Sequence, residues 1–194
     1  MLIPGVLLAV GLGMPPVVGD TACLTTASSA SLAKRPSPLD SVSFVVASSA
    51  VKICYGRPSS RGRTMIGGRN VPYGHLWRTG ANEPTMLHTT GPITVAGIVL
   101  NEGVYSIYTI PGEQSWVLLL NRSTEQWGDE VSYKEVKHLE VGQAVLERKW
   151  PRERVEQFTI TVERPGRDDV TLVFLWETSR VEVPVTGGRL AAGR

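Results

Sequence analysis

Hydrophobic and polar positions alternate with a period of two along much of the chain after residue 40. Alternate side chains of a strand lie on opposite faces of its sheet, so this pattern predicts half-buried strands. Residues 116–120 and 170–176 are apolar on both faces and predict strands inside the sheet. The clearest alternation has apolar side chains at Val51, Ile53, Tyr55, Phe158, Ile160, Val162, Val181, Val183 and Val185.

Turn-forming combinations such as Gly91-Pro92, Pro111-Gly112 and Pro165-Gly166 separate these segments. No segment has a long stripe of apolar residues at helical spacing. The pattern therefore predicts an all-β fold: a single antiparallel sandwich or barrel of about nine to ten strands, formed by residues 40–186. One long loop rich in arginine and glycine, Gly56–Asn82, interrupts the strands.

The two ends of the chain differ from this β domain. Residues 1–19 carry no charge, and the apolar stretch 2–12 has the length of the hydrophobic core of a signal peptide. No Lys or Arg precedes that stretch, which departs from the usual signal sequence. We interpret residues 1–22 as a signal-like leader, 23–39 as a flexible tether and 187–194 as a disordered tail.

The chain contains only two cysteines, which cannot form a disulfide framework. Removal of a leader would take Cys23 away, so we expect no lasting bond between Cys23 and Cys54. The segment Asp20–Cys23 also has the small residues and cysteine of a lipoprotein processing site. A lipid anchor at Cys23 is therefore the one membrane attachment that the sequence indicates. The predicted location is secreted or periplasmic.

Composition narrows the partners further. A net charge of +2 gives no field that would favour nucleic acid or a membrane surface. His75, Glu83 and His88 supply enough ligands for a metal, but their spacing matches no metal motif. We therefore predict no metal, no cofactor and no nucleic-acid partner, and a small molecule remains the expected ligand. The oligomeric state is not readable from the sequence.

The long loop carries the candidate chemistry. It contains five arginines but no lysine and no acid, and its first following carboxylate is Glu83. Arginine forks bind carboxylates, phosphates or backbone carbonyls, so the loop predicts either an anion site or a loop stapled by its own arginines. The arginines are Arg57, Arg61, Arg63, Arg69 and Arg78.

Several strings of this loop resemble the bacterial domain-of-unknown-function family 2911. The longest is Trp77-Arg78-Thr79-Gly80-Ala81-Asn82-Glu83, and Tyr55-Gly56-Arg57-Pro58-Ser59 and Val71-Pro72-Tyr73-Gly74 precede it. The resemblance continues through Gly103-Val104-Tyr105-Ser106 and Trp176-Glu177, and covers nearly all of residues 40–185. It implies an exported or lipoprotein-like bacterial protein, and it carries no established activity.

Three hypotheses follow for function. The first is a binding module for a small polar or anionic ligand, held by Arg57, Arg63, Trp77, Asn82 and Tyr73. The second is an enzyme in which Glu83 is the acid or base, Arg78 clamps an anion and Tyr105 assists. The third is a structural or envelope-interaction domain, in which Arg78 and Glu83 form a bridge that pins the loop.

The environment of the arginines and of Glu83 separates these hypotheses. A cluster whose guanidinium groups are all bonded to backbone favours the structural domain. An open pocket that contains Glu83 with a raised pKa favours the enzyme, and a pocket without a perturbed acid favours the binding module.

Overall fold

The alternating segments form strands in the computed structural model, which describes residues 22–25, 27–166 and 169–188. Every strand pairing in this part of the chain is antiparallel. The strands are β1 (Leu39–Val46), β2 (Ser49–Gly56), β3 (Thr85–Thr89), β4 (Ile93–Val95), β5 (Ile98–Leu100), β6 (Gly103–Ile110), β7 (Ser115–Asn121), β8 (Glu140–Lys149), β9 (Val155–Glu163), β10 (Val170–Glu177) and β11 (Ser179–Gly187).

Helices contribute little to the described residues. Helix α1 (Ser29–Leu32) is a single turn before β1, and α2 (Glu130–Val136) runs into a 3-10 turn at Lys137–Leu139. Asp129 caps α2, because its carboxylate accepts a hydrogen bond from the Ser132 amide at 2.9 Å. No helix in the described ranges is long and apolar enough to cross a membrane.

The strands follow the order β1-β2-β3-β6-β7-β8-β11-β10-β9, and β4 pairs with both β11 and β5. Most of β8 pairs with β7, whereas its last residues, Arg148 and Lys149, pair with Val181 and Arg180 of β11. Strand β8 therefore joins two halves of the sheet. One half contains β1, β2, β3, β6 and β7, and the other contains β4, β5, β9, β10 and β11. The two halves share one apolar core, as in a sandwich. The sheet does not close, and the predicted all-β fold is confirmed.

The prediction of nine to ten strands differs slightly from the eleven that the described residues form. The difference lies in β4 and β5, which have three residues each and pair through a tight turn. A period of two cannot be recognised over three residues. The segments predicted to be central, β7 and β10, do lie between neighbours on both sides.

The core between the two halves is mainly apolar. Ile53 and Leu87 from one half and Leu172 and Phe174 from the other are essentially inaccessible to solvent. Burial of each such side chain contributes roughly 1.5–3 kcal/mol. The rings of Tyr55 and Phe158 meet edge to face across the interface, with centroids 5.6 Å apart.

The segment 56–82 contains no strand, in agreement with the predicted loop, although isolated bridges tie it to the sheet. Its two ends meet at Gly56, where the backbone of Ala81 approaches so closely that a Cβ atom would lie 2.0 Å from the Ala81 carbonyl oxygen. Only glycine permits this approach. The loop therefore leaves the end of β2 and returns to the same place before β3.

The cysteine expectation was wrong, because Cys23 and Cys54 form a disulfide. The bond joins Cys23 to β2, and the nearby Thr25 hydroxyl donates to Glu83 at 2.9 Å. The start of the segment predicted as a tether, 23–39, is thus covalently attached to the sheet. The Cys23 sulfur cannot carry a thioether-linked lipid while this bond exists. Residues 1–21 and 189–194, which include most of the predicted leader and tail, lie outside the described residues.

Candidate functional site

A cavity of about 420 Å³ opens between the long loop and the segment that precedes β1. This volume falls in the range of small-molecule sites. Its walls combine buried apolar side chains with polar and cationic ones. The lining residues are Pro36, Ser37, Pro58, Ser59, Arg61, Arg63, Met65, Asn70, Val71, Trp77, Arg78, Gly80, Ala81, Asn82 and Trp176.

Two stacked tryptophans form the floor of the cavity. The rings of Trp77, from the loop, and Trp176, from β10, lie 5.5 Å apart at an interplanar angle of 22°. Their indole N–H groups donate inward to Gly80 O at 3.0 Å and Glu156 O at 3.2 Å. The two side chains are only 7% and 1% exposed. A ligand in the cavity could therefore contact only a small part of either ring and could not stack on it.

Three guanidinium groups, those of Arg61, Arg63 and Arg78, form the rim. Arg63 donates to the carbonyls of Ser60 and Ser59 at 3.0 and 3.4 Å, and Arg61 donates to Pro36 O at 3.4 Å. Among the described residues, no carboxylate lies within 4 Å of these three groups. The rim is therefore cationic without a direct counter-charge.

The model of the family described as protein of unknown function (DUF2911) matches residues 37–185, which is more than half of the chain. This chain belongs to the DUF2911 family. No curated protein and no solved structure matches it. The matched range contains every lining residue of the cavity except Pro36.

Arg78 of this DUF2911 domain is held in a fixed orientation. Its Nη1 atom donates to the carbonyl of Asn82, and its guanidinium carbon lies 5.3 Å from the centre of the Trp127 ring. The side-chain stem packs on Gly128, where a Cβ atom would lie 2.8 Å from the stem. Burial lowers the pKa of Arg78, which reflects the cost of placing a cation there.

A buried carboxylate anchors the far wall of the cavity. Glu177, at the end of β10 and 3% exposed, accepts hydrogen bonds from the amides of Met65 and Ile66 at 3.0 and 2.8 Å. Its other oxygen accepts from Arg154 at 2.8 Å. Glu177 thus ties the loop to β10 immediately after Trp176, and it fixes Met65 in the cavity wall.

A second carboxylate fixes the loop next to the rim. Glu156 accepts from the Ser60 hydroxyl and from the Arg61 amide, both at 2.5 Å. The hydrogen bond from Ser60 is the main cause that lowers the pKa of Glu156. Because both oxygens hold loop atoms, Glu156 determines where Arg61 enters the rim.

Left-handed backbone conformations cluster around the cavity. Arg61, Thr79, Asn82 and Glu177 have φ values of 50°, 54°, 67° and 52°. Such values are unfavourable for a β-branched residue. Thr79 is held there because its hydroxyl donates to the Thr109 hydroxyl and its carbonyl accepts from the Thr85 hydroxyl. Strain of this kind persists where surrounding structure imposes it, and it is concentrated at functional sites.

Glu83, the proposed acid or base, does not line this cavity. Arg35 binds it through two hydrogen bonds of 2.6 and 2.7 Å, and the Thr25 hydroxyl donates to it at 2.9 Å. The hydrogen bond from Arg35 is the largest cause that lowers the pKa of Glu83. Its carboxylate lines a second cavity of about 490 Å³ with Leu24 and Trp127, on the other side of Arg78.

The other sequence-predicted residues divide into two groups. Trp77, Arg63, Arg78 and Asn82 meet at the cavity, and the Asn82 side chain donates to Ser37 O at 3.1 Å. The structure places the remaining three elsewhere. Arg57 binds Asp40 and Thr159, the Tyr73 hydroxyl accepts from Arg148, and the Tyr105 hydroxyl donates to Asn101 O.

The histidines also lie apart. His75 is exposed and lies 3.6 Å from Glu130, whereas His88 is buried in β3 opposite Lys52 of β2. Burial lowers the pKa of His88. No group of three metal-binding side chains occurs in the part of the chain that the structure describes.

Sequence reasoning missed several lining residues, most clearly Pro36, Ser37 and Trp176, and it missed Glu177, which anchors the wall. Pro36 and Ser37 fall in a segment without periodicity, so nothing in their pattern placed them near the loop. Glu177 offered a signal, because a single acid ends the otherwise apolar strand after Trp176. A carboxylate in that context is buried only when hydrogen bonds satisfy it.

Proposed function

We propose that the DUF2911 domain binds a small organic anion, with its carboxylate or phosphate group among Arg61, Arg63 and Arg78. The observation that carries this proposal is the cationic rim, which faces an open cavity without a carboxylate at ion-pair distance. Guanidinium forks match carboxylate and phosphate oxygens geometrically. The apolar floor at Trp77 and Trp176 would contact the carbon skeleton of the ligand.

The environment of Glu83 favours binding over acid–base catalysis by that residue. A general base needs a pKa near the working pH and access to the substrate. The pKa of Glu83 is lowered, its two oxygens are engaged by Arg35, and it lies outside the cavity lining. The Tyr105 hydroxyl is likewise engaged, by Asn101 O at 3.1 Å.

The rim also argues against a purely structural cluster. Arg63 and Arg61 donate to backbone carbonyls, which is what a stapled loop requires. However, these contacts leave part of each fork directed at solvent, and both residues are exposed. A ligand anion would satisfy the remaining donors, whereas a closed structural cluster would leave none.

We further propose that the protein acts outside the bacterial cytoplasm, either secreted or periplasmic. A disulfide between Cys23 and Cys54 is typical of an oxidising compartment. The apolar start of the chain supports the same location. Fractionation of cells that express the full chain would test this placement. The intact mass of the isolated protein would distinguish a disulfide from a lipid at Cys23.

The binding proposal is tested with purified, oxidised full-length protein. Native mass spectrometry first identifies any co-purified small molecule, and calorimetry then measures citrate, glucuronate and inorganic phosphate, with methylammonium as a cationic control. We expect at least one anion and not methylammonium to bind, and Arg63→Gln to weaken that binding. The matched control is Arg164→Gln, since Arg164 also donates to a carbonyl, Val45 O, but at the far end of β9. Absence of a co-purified anion together with no binding of the three probes would refute the proposal.

A further inference from the structure

The segment before β1 is more than a connection. We propose that the described residues between 22 and 38, which we name the N-terminal strap, form a disulfide-held wall of the cavity. We propose further that reduction of the Cys23–Cys54 bond by a dithiol opens this wall and weakens anion binding. The second part rests on the proposed function, whereas the first part concerns the fold alone.

The strap is attached at its two ends to neighbouring parts of the domain. Cys23 is bonded to Cys54 of β2. Near the other end, Arg35 forms its paired hydrogen bonds with Glu83, the residue to which Thr25 also donates. Cys54 lies two residues before the loop begins, and Glu83 lies one residue after it ends. The strap therefore spans the two ends of the cavity loop.

Between these attachments the strap contributes directly to the cavity. Pro36 and Ser37 line it. The Pro36 carbonyl accepts from Arg61 Nη2, and the Ser37 carbonyl accepts from Asn82 Nδ2. These two carbonyls hold one rim arginine and the residue whose own carbonyl accepts from Arg78. Movement of the strap would thus release contacts that orient two of the three rim arginines.

Few other contacts hold the strap. The Arg57 amide donates to Pro38 O at 2.8 Å at its end. Helix α1 has one turn and no buried residue, and within the described residues no strand pairing begins before Leu39. Segments with few buried apolar contacts open at low free-energy cost, so the disulfide and the Arg35–Glu83 contacts carry most of the attachment of residues 22–35. Loss of the covalent bond would leave only hydrogen bonds and one ion pair, those of Thr25 and Arg35 and those to the carbonyls of residues 36–38.

Release also changes the charge balance at the rim. The carboxylates of Asp129 and Glu83 both act electrostatically on Arg78, and Arg35 forms an ion pair with Glu83 while the strap is in place. When the strap departs, the Glu83 carboxylate loses Arg35, and its uncompensated charge adds to that of Asp129 near Arg78. An internal carboxylate then competes with a ligand anion for this arginine, so both the lost wall and the freed acid lower affinity.

The redox step is an ordinary thiol–disulfide exchange. Cys54 is buried whereas Cys23 is only half-buried, so the thiolate of a dithiol reductant attacks the Cys23 sulfur and Cys54 leaves as a thiolate. The second thiol of the reductant then displaces Cys23 and closes the disulfide of the reductant. Two electrons and two protons pass to the protein, which ends with two free thiols.

Hydrogen–deuterium exchange with mass spectrometry tests the wall without any ligand. Full-length protein is compared oxidised and after dithiothreitol, with the gain of two hydrogens confirmed by intact mass. We expect faster exchange in peptides that cover residues 22–38 and 56–82, and unchanged exchange in β6 and β7. Cys23→Ser should behave like the reduced protein in either condition. Arg164→Gln, with its disulfide intact, should respond to dithiothreitol as the wild type does.

Calorimetry on the same samples tests the consequence for binding, with citrate and inorganic phosphate as probes. We expect reduction to weaken the bound probe about tenfold. Unchanged exchange across 56–82 after reduction would contradict the proposal that the strap is a wall of the cavity. A uniform increase in all strands would contradict it too, because the disulfide would then stabilise the whole domain. Faster exchange with unchanged affinity would contradict the proposal that reduction regulates binding. If neither probe binds the oxidised protein, the proposed function fails while the exchange data still decide whether the strap is a wall.

Discussion

Arg148 and the rim arginines place the same side chain in two different settings. Arg148 is 8% exposed at the junction of β8 and β11, and all three of its nitrogens donate within the protein. Its partners include the Ser179 hydroxyl and Glu113 O, both at 2.9 Å, and the Thr178 hydroxyl at 3.2 Å. Arg61, Arg63 and Arg78 instead border the cavity, and each donates to backbone carbonyls with only part of its fork.

The difference shows how to distinguish an arginine that holds a fold from one that can hold a ligand. A buried guanidinium costs free energy unless its N–H groups are satisfied, so Arg148 is enclosed by acceptors and has nothing left to offer. Neither setting contains a carboxylate within ion-pair distance among the described residues. The proposed anion site therefore depends on spare donors at the edge of a cavity and not on the number of arginines.

Replacement of Arg148 gives the largest effect that we expect. Arg148→Met keeps the apolar stem but leaves the carbonyls of Glu113 and Thr178 and the Ser179 hydroxyl without their donor. We expect the free energy of unfolding to fall by about 3 kcal/mol, because each buried unpaired group costs about 1–3 kcal/mol. Urea unfolding measures this, and calorimetry should find anion binding unchanged. A loss below about 1 kcal/mol would contradict the view that Arg148 is structural.

Glu177→Gln tests whether the buried carboxylate at the end of β10 anchors the loop that borders the cavity. The glutamine oxygen can still accept from both loop amides, but its NH₂ group cannot accept from Arg154 and would lie against that cation, so we expect a loss of about 2 kcal/mol in urea unfolding. Weaker binding of citrate or phosphate should accompany it, since the loss of the ion pair loosens the attachment of Met65 in the cavity wall. Glu182→Gln is the control, because Glu182 also pairs with cations, Lys149 and Arg180, but is half-buried instead of fully buried. If both variants lose the same stability, Glu177 is not a special anchor.

Arg78→Gln should separate binding from stability. Arg78 makes one hydrogen bond to a carbonyl and a cation–π contact with the half-exposed Trp127, so its removal should cost the fold under about 1 kcal/mol. The affinity for the anion that binds best should fall about tenfold, which corresponds to about 1.4 kcal/mol. Arg78→Lys should lie between the two, since it keeps the charge but loses the fork. Equal affinity in all three proteins would remove Arg78 from the site.

The fold could be predicted because its main strands have a clear alternation of apolar and polar residues. Alternation at Val51, Ile53 and Tyr55 and at Val181, Val183 and Val185 follows directly from burial of one face of a sheet. The long loop could be recognised by the absence of that alternation. What periodicity cannot reveal is pairing between distant segments, and so the order in which β8 passes from β7 to β11 was not predictable.

The lining of the candidate cavity could be predicted only in part, for the same reason. Arg63, Arg78, Trp77 and Asn82 were recognised by residue type and they do meet, whereas Arg57, Tyr73 and Tyr105 have the same chemistry and lie elsewhere. The partner of Glu83 was the main gap. Arg35 lies 48 residues away in a segment without periodicity. Only the folded structure shows that Glu83 pairs with Arg35 and not with Arg78. Charge partners depend on three-dimensional proximity that a single sequence does not encode visibly.

Protonation of Glu83 should give the smallest effect and the sharpest test of how the strap is held. Because Arg35 lowers the folded-state pKa of Glu83, the pair stabilises the protein above the ordinary pKa of a glutamate. That contribution is lost as the pH falls through the lowered folded value. Wild type should therefore exceed Glu83→Gln in unfolding free energy at about pH 6, by under about 1 kcal/mol, and the difference should shrink steadily as the pH falls below the ordinary pKa of a glutamate. In an Arg35→Gln background the pH-dependent difference should largely disappear. If it persists there, or if the two proteins differ equally at every pH, the Arg35–Glu83 pair does not hold the strap and its attachment rests on the disulfide.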